Sequence, residues 1–90
     1  MKNTIIIFTM IGCPYCVNLK NFLVESNIPY IELKIHENKR VWEQLVKQTG
    51  LRHLPTIFIK EGDTDMGPVY VSGRDFESNQ EILDIIKKYI

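Results

Sequence analysis

The first hydrophobic segment of the chain is a nearly continuous run of β-branched and aromatic residues. Residues 4–9 read TIIIFT, which is typical of a strand that is buried on both faces. Gly12 interrupts the run, and Pro14 suits the first turn of a helix, because its missing N–H would have no helical partner there. Leu19 and Leu23 then give the predicted helix an apolar stripe at helical spacing.

A second strand and a second helix follow. Asn27 and Pro29 are expected to end the first helix. Tyr30 to Ile35 alternate apolar and polar side chains, which predicts a strand. Residues 38–49 carry apolar side chains at helical spacing, and Gly50 suits the position just after a helix. A strand, a helix and a strand in this order predict a parallel pair joined by a right-handed crossover.

The last third of the chain predicts a hairpin and a final helix. Two short strand-like runs, Thr56 to Lys60 and Pro68 to Ser72, flank a turn-rich segment at residues 61–63. Residues 78–81 read SNQE, a capping box that opens a helix. Its residues expected to face inward are Ile82, Leu83, Ile86 and Tyr89. The element order β-α-β-α-β-β-α predicts an α/β fold with a mixed four-stranded sheet flanked by three helices.

Composition narrows the class of protein. The chain has 90 residues, with 44% hydrophobic and 24% charged side chains, so we expect one globular domain over residues 1–90. Eleven basic and eleven acidic residues give no net charge, which argues against binding nucleic acid or a membrane surface. A secretory leader is disfavoured because the apolar run at residues 5–11 is short and contains Thr9. We therefore expect a soluble cytoplasmic monomer.

The candidate chemistry lies in Cys13 and Cys16, which form one C-x-x-C at the start of the first predicted helix. A helix N-terminus stabilises the thiolate, which is the reactive form of cysteine. We expect Cys13 to lie at the helix cap, open to solvent, with Cys16 one turn further on and within bridging distance. Cys13 would attack a disulfide, and Cys16 would resolve the mixed disulfide. Lys20, on the same helix face, is expected to add positive potential.

Two other interpretations of these cysteines remain. A zinc site needs about two more ligands, and the spacing of His36 and His53 is far from that of a zinc-binding pair. Two inert core cysteines are disfavoured because a junction between a strand and a helix is usually exposed. We therefore expect no bound metal and a thiol–disulfide role.

Residues 12–16 read GCPYC after an N-terminal strand, and this segment resembles the CPYC active-site motif of the glutaredoxins. These are dithiol proteins with the thioredoxin fold, and the resemblance covers essentially the whole chain. It implies that Cys13 is the nucleophile and Cys16 the resolving thiol, with Pro14 and Tyr15 completing the motif. Tyr15 would pack beside the thiol and shape the substrate groove. Glutathione would be a co-substrate rather than a bound cofactor, and the partners would be disulfide-containing proteins.

The resemblance also implies a glutathione site. Leu54 and Pro55, joined by a cis peptide bond, would flank the groove. The backbone of Leu54 would pair with the cysteine residue of glutathione. Arg52 resembles a retained carboxylate partner, a role that suits a guanidinium. Asp75 would receive the γ-glutamyl amine, while the start of the last helix would take the neighbouring carboxylate. Gly73 belongs to the same loop, where it would serve the backbone.

Several positions depart from the family pattern. Met10 stands where a basic residue is common, and Trp42 stands where a Gln often faces glutathione. His53 precedes Leu54 where Thr-Val is common, and the loop at residues 72–75 is one residue shorter. These segments resemble the glutaredoxin-like redoxins that are reduced by thioredoxin reductase and serve ribonucleotide reductase, so that function is the alternative. A second alternative is an iron–sulfur or metal carrier, although Pro14 disfavours it.

Overall fold

Four strands form a single mixed sheet in a computed structural model that describes residues 2–90. The strands are β1 (Asn3–Thr9), β2 (Ile31–Lys34), β3 (Thr56–Glu61) and β4 (Val69–Val71). β1 pairs in parallel with β2 and antiparallel with β3, and β4 pairs antiparallel with β3, so the order across the sheet is β2-β1-β3-β4. The predicted parallel pair and the predicted hairpin are both confirmed.

Three α-helices connect and cover the sheet: α1 (Pro14–Glu25), α2 (Lys39–Thr49) and α3 (Asn79–Ile86). Gly50 follows α2 in the left-handed conformation with φ 76° and donates its N–H to the carbonyl of Val46 at 2.7 Å. At the start of α3, the Ser78 hydroxyl accepts the N–H of Glu81 at 3.1 Å. These contacts satisfy backbone groups that a helix end leaves without a partner.

The second strand is shorter than its alternating pattern predicts. Ile35–Glu37 form one turn of 3-10 helix, although Ile35 continues the alternation. The reason lies in the neighbouring strand, because the ladder between β1 and β2 ends with the pair Thr9 and Lys34. Beyond that pair, β2 has no partner on its only paired side, so the chain turns toward α2.

The side chains of β1 are buried on alternating faces of the sheet. Ile7 faces the layer of α1 and α3, while Phe8 faces the layer of α2, and both are almost fully buried. The rings of Phe8 and Trp42 of α2 are tilted against each other with centroids 5.7 Å apart, and Trp42 is buried in the core on this face. Leu19 of α1 is fully buried on the opposite face. The continuous apolar run therefore holds both layers together, as the sequence predicts.

Within residues 2–90, none of the helices is both long enough and apolar enough to cross a membrane.

The packing of α1 generates the first prediction. Replacing Leu19 by alanine should lower the free energy of unfolding by about 2–5 kcal/mol, because the fully buried side chain would leave a cavity beneath the helix that carries both cysteines. Val24→Ala is the matched control, since Val24 is on the same helix but 63% exposed, and it should change stability by no more than about 0.5 kcal/mol. Urea denaturation measures both. Equal losses in the two variants would contradict this account of the packing.

Candidate active site

Cys13 lies at the N-terminal cap of α1, where the chain leaves β1. Gly12 precedes it with φ 79°, in the left-handed region that glycine tolerates. The carbonyl of Cys13 accepts the N–H of Val17 at 3.2 Å, and its sulfur accepts the N–H of Cys16 at 3.3 Å. A backbone donor and the positive end of the helix dipole therefore both face the sulfur. These two features stabilise a thiolate after reduction.

Cys13 and Cys16 are joined by a disulfide, with their Cα atoms 5.3 Å apart. One helical turn brings the two residues within bridging distance, as their spacing predicts. The site is therefore described in its oxidised form. Within residues 2–90, no group of three or more His, Cys, Asp or Glu side chains is arranged to hold a metal ion.

The expectation that Cys13 is open to solvent is wrong for this form of the site. Cys13 is only 8% exposed and Cys16 is 1% exposed. The bridge directs the Cys13 sulfur toward Cys16 and the first turn of α1, away from bulk water. Of the two residues, Cys13 keeps the larger exposed fraction.

The apolar residues around the bridge project outward. Tyr15 is 72% exposed, so most of its surface is open to solvent. It lies in the first turn of α1, on the outer side of the helix. It belongs to neither of the two hydrophobic clusters that pack on the faces of the sheet. Met10 and Ile11, in the loop before Cys13, are also exposed. The rim of the site is therefore apolar and accessible.

Lys20 does not present a free charge to the cysteines, contrary to the sequence-based expectation. Its ammonium group donates to Glu32 of β2 at 2.9 Å, and the same carboxylate oxygen accepts the Thr9 hydroxyl at 2.7 Å. The hydrogen bonds from Lys20 and Thr9 hold the pKa of Glu32 below its usual range, against a smaller opposing effect of burial. The contacts of Glu32 with Lys20 and Thr9 therefore connect α1 to both β2 and the end of β1.

The segment before β3 lies at the active-site end of the sheet. The peptide bond between Leu54 and Pro55 is cis, as the resemblance implied. The next residue, Thr56, pairs with Phe8 on one side and with Val71 on the other. This register places the cis bond beside the end of β1, from which the loop to Cys13 begins.

The loop after β4 reaches the same end of the sheet. Ser72 donates its N–H to the carbonyl of Pro55 at 3.2 Å, and its own carbonyl lies 3.2 Å from Nδ1 of His53. Gly73 has φ 87° and donates its N–H to the carbonyl of Phe76 at 2.8 Å. The glycine therefore serves a tight turn, as predicted, and the loop borders the segment before β3.

Asp75 closes this loop. One of its carboxylate oxygens accepts the N–H of Val71 at 2.7 Å and the Nε–H of Arg74 at 2.9 Å. Partial burial opposes ionisation, but the hydrogen bonds from Arg74 and Val71 outweigh it and hold the pKa of Asp75 below its usual range. The carboxylate is therefore ionised near neutral pH and partly committed to its own loop.

Arg52 has a partner that sequence reasoning missed. Its guanidinium donates to both carboxylate oxygens of Glu43 in α2, at 2.7 and 2.8 Å. The hydrogen bonds from Arg52 lower the pKa of Glu43, and the same contacts raise the pKa of Arg52. The only signal in the sequence that could have pointed to this contact is the position of Glu43. It adjoins Trp42, which stands where the family often places a glutathione contact.

Comparisons with known proteins show the family of the chain. The family model described as Glutaredoxin matches residues 5–63. The chain therefore belongs to the glutaredoxin family.

Curated relatives carry several names. The chain is 34% identical to monothiol glutaredoxin-7 of Saccharomyces cerevisiae, with 98% of this chain and 45% of that protein covered. It is 30% identical to N-acetyl-S-hydroxy-L-cysteine reductase of Bacillus subtilis, covering 70% of this chain and 68% of that protein. For glutaredoxin 3 of Escherichia coli, the identity is 36%, with 59% of this chain and 64% of that protein covered. The chain thus spans less than two thirds of two of these relatives.

Solved structures confirm the thioredoxin-like fold. Oxidised thioredoxin from Plasmodium falciparum superposes with a TM-score of 0.66 at 14% identity, covering 98% of this chain and 81% of that one. Glutaredoxin from Brucella melitensis superposes with a TM-score of 0.56 at 20% identity, covering 94% of this chain and 79% of that one.

The contact between Lys20 and Glu32 generates a prediction about pH. Because the pKa of Glu32 is lowered in the folded protein, its stabilising contribution is fully present above the unfolded glutamate pKa of about 4.3. The contribution is lost as the pH falls through the lower folded value. At pH 7, Glu32→Gln should reduce the free energy of unfolding by about 1 kcal/mol. The difference should vanish in acid, where wild-type Glu32 is itself neutral.

Urea denaturation across this pH range measures the effect. Glu25→Gln, at the far end of α1, removes the same charge and should change stability little at any pH. A stability loss in Glu32→Gln that persists unchanged in acid would contradict the ionic origin of the effect.

Proposed function

We propose that this chain is a glutathione-dependent thiol–disulfide oxidoreductase that reduces protein disulfides and glutathione mixed disulfides. The observation that carries the proposal is the bridge between Cys13 and Cys16 at the N-terminus of α1, with the Cys13 sulfur facing a backbone N–H. Membership of the glutaredoxin family supports the same chemistry. Glutathione is proposed as a co-substrate, with no resident cofactor or metal.

The proposed reaction begins with the reduced dithiol. The Cys13 thiolate attacks one sulfur of a substrate disulfide, so that a mixed disulfide forms and the other substrate sulfur leaves as a thiolate. Cys16, after losing its proton, attacks the Cys13 sulfur, which releases the second substrate sulfur and forms the bridge. The substrate gains two electrons, which the two cysteines supply. Two glutathione molecules then reduce the bridge and leave as glutathione disulfide.

The proposed order of attack follows from exposure and position. Cys13 retains more exposed surface than Cys16, and it occupies the helix cap, where its thiolate is the better stabilised. Cys16 is buried one turn further on. In this position it can attack the sulfur of Cys13 but is poorly placed to attack a sulfur of the substrate directly. Cys13 is therefore the nucleophile and Cys16 the resolving thiol in this proposal, with Pro14 and Tyr15 on the rim.

The proposed glutathione site lies along the segment before β3. The backbone of Leu54, held by the cis bond to Pro55, would pair with the cysteine residue of glutathione. The loop at residues 72–75 would meet the γ-glutamyl end, where Gly73 shapes the turn and the ionised Asp75 attracts the amine. Arg52, at the opposite end of the segment, would meet the glycine carboxylate. Glutathione thereby gains a contact at each end.

Reduction by thioredoxin reductase, with a disulfide of ribonucleotide reductase as substrate, is the second candidate. The observation that favours it is that Arg52 already binds Glu43 and that Asp75 is partly committed to its own loop. Both contacts reduce what these two residues offer to glutathione.

The reductant is tested by following NADPH oxidation with a small mixed-disulfide substrate. One reaction contains glutathione and glutathione reductase, and the other contains thioredoxin reductase. We expect turnover with glutathione, because Leu54, Arg52 and the 72–75 loop lie at one end of the sheet. Turnover only with thioredoxin reductase would contradict the glutathione proposal. A brown, cluster-containing protein as purified would favour the iron–sulfur alternative.

The roles of the two cysteines are tested separately. Cys13→Ser should abolish reductase activity, because the variant lacks the sulfur that attacks the substrate. Cys16→Ser should keep activity on glutathionylated substrates, since a second glutathione can resolve the mixed disulfide, but should lose activity on protein disulfides. The coupled assay with each substrate class measures both variants. Retained activity in Cys13→Ser would overturn the assignment of the nucleophile.

A further inference from the structure

The contact between Arg52 and Glu43 uses the donors that a substrate carboxylate would need. Nη1 of Arg52 donates to one carboxylate oxygen of Glu43 at 2.8 Å, and Nη2 donates to the other at 2.7 Å. This is the two-point geometry in which a guanidinium binds any carboxylate. While the pair is closed, a second carboxylate cannot bind to the same two nitrogens.

The pair also lies beside the proposed groove. Arg52 is two residues before Leu54 and the cis bond, in the segment that leads into β3 at the active-site end of the sheet. Glu43 projects from α2, the helix that ends just before this segment. The intramolecular carboxylate is therefore held at the place where a carboxylate of the substrate is proposed to bind.

The ion pair between Arg52 and Glu43 is exposed and therefore easily broken. The side chains of Arg52 and Glu43 are 62% and 49% exposed, and exposed ion pairs are weak and screened by salt. Binding to a protein that is only partly in its competent state is weakened by the fraction that is competent. A weak, exposed pair therefore reduces affinity by a modest factor and does not abolish binding.

We propose that Glu43 is a specificity-determining residue that competes with the glycine carboxylate of glutathione for Arg52. This inference rests on the proposed glutathione-dependent function. Glu43 weakens the binding of free glutathione, while protein disulfides that place no carboxylate at Arg52 are unaffected. Glu43 thereby shifts the preference of the site away from free glutathione and toward protein disulfides.

The inference is tested with Glu43→Gln in the coupled assay with glutathione and glutathione reductase. The KM for glutathione should fall about two- to five-fold, the range expected for releasing an exposed ion pair, with little change in kcat. Glutathione monoethyl ester, whose glycine carboxylate is blocked, should show the same KM with both proteins. Glu25→Gln is the matched control, because it removes the same charge at the far end of α1, and it should leave the KM unchanged.

A double variant separates competition from simple repulsion. Arg52→Gln should raise the KM for glutathione, and adding Glu43→Gln to it should have no further effect, because no guanidinium remains to be released. If Glu43→Gln lowers the KM equally with and without Arg52, Glu43 acts by repulsion through space and the inference is wrong. An unchanged KM in Glu43→Gln also overturns it.

These outcomes differ from a failure of the proposed function. If neither the wild type nor any variant turns over with glutathione, the glutathione proposal fails and the competition falls with it. If all of them turn over with the same KM, the carboxylate contact of Arg52 and the competition by Glu43 both fail, while the glutathione-dependent activity stands. Turnover with glutathione that appears only in Glu43→Gln would contradict the proposed function of the wild type and the modest effect expected of an exposed ion pair.

Discussion

The burial of β1 on both faces is the constraint on which the other parts of the molecule depend. β1 has a hydrogen-bonded strand on each side and a helical layer above and below. Ile7 and Phe8, adjacent along the strand, anchor the two layers separately. A strand held in this way has little freedom at its end, so the loop that follows it delivers Cys13 to a defined position at the cap of α1.

The electrostatics of the site come mainly from the backbone. Three basic side chains near it are each bound to a carboxylate: Lys20 to Glu32, Arg52 to Glu43 and Arg74 to Asp75. Their charges are therefore largely compensated within the folded chain. The N-terminus of α1 and the N–H of Cys16 remain as the groups that favour a thiolate at Cys13. These backbone groups do not depend on the charges of the side chains, which sum to zero over the chain.

Most of the fold could be predicted because hydrophobic periodicity is a local signal. The run at residues 4–9, the glycine after α2 and the cap at Ser78 each indicate an element from neighbouring residues alone. The exception at Ile35 is instructive, because its alternation is that of a strand. The strand ends earlier because β1, which is distant in sequence, provides no partner beyond Thr9.

The sequence by itself determined the element order, the core faces and the C-x-x-C at a helix start. The signal for each of these features comes from residues that are close together along the chain. Only the tertiary structure decided the partners of long charged side chains and the exposure of the site. Lys20 finds Glu32 on another element, and Arg52 finds Glu43 on a neighbouring helix. Cys13 is covered because the bridge draws its sulfur inward. Such contacts follow from how elements pack, and no local pattern encodes them.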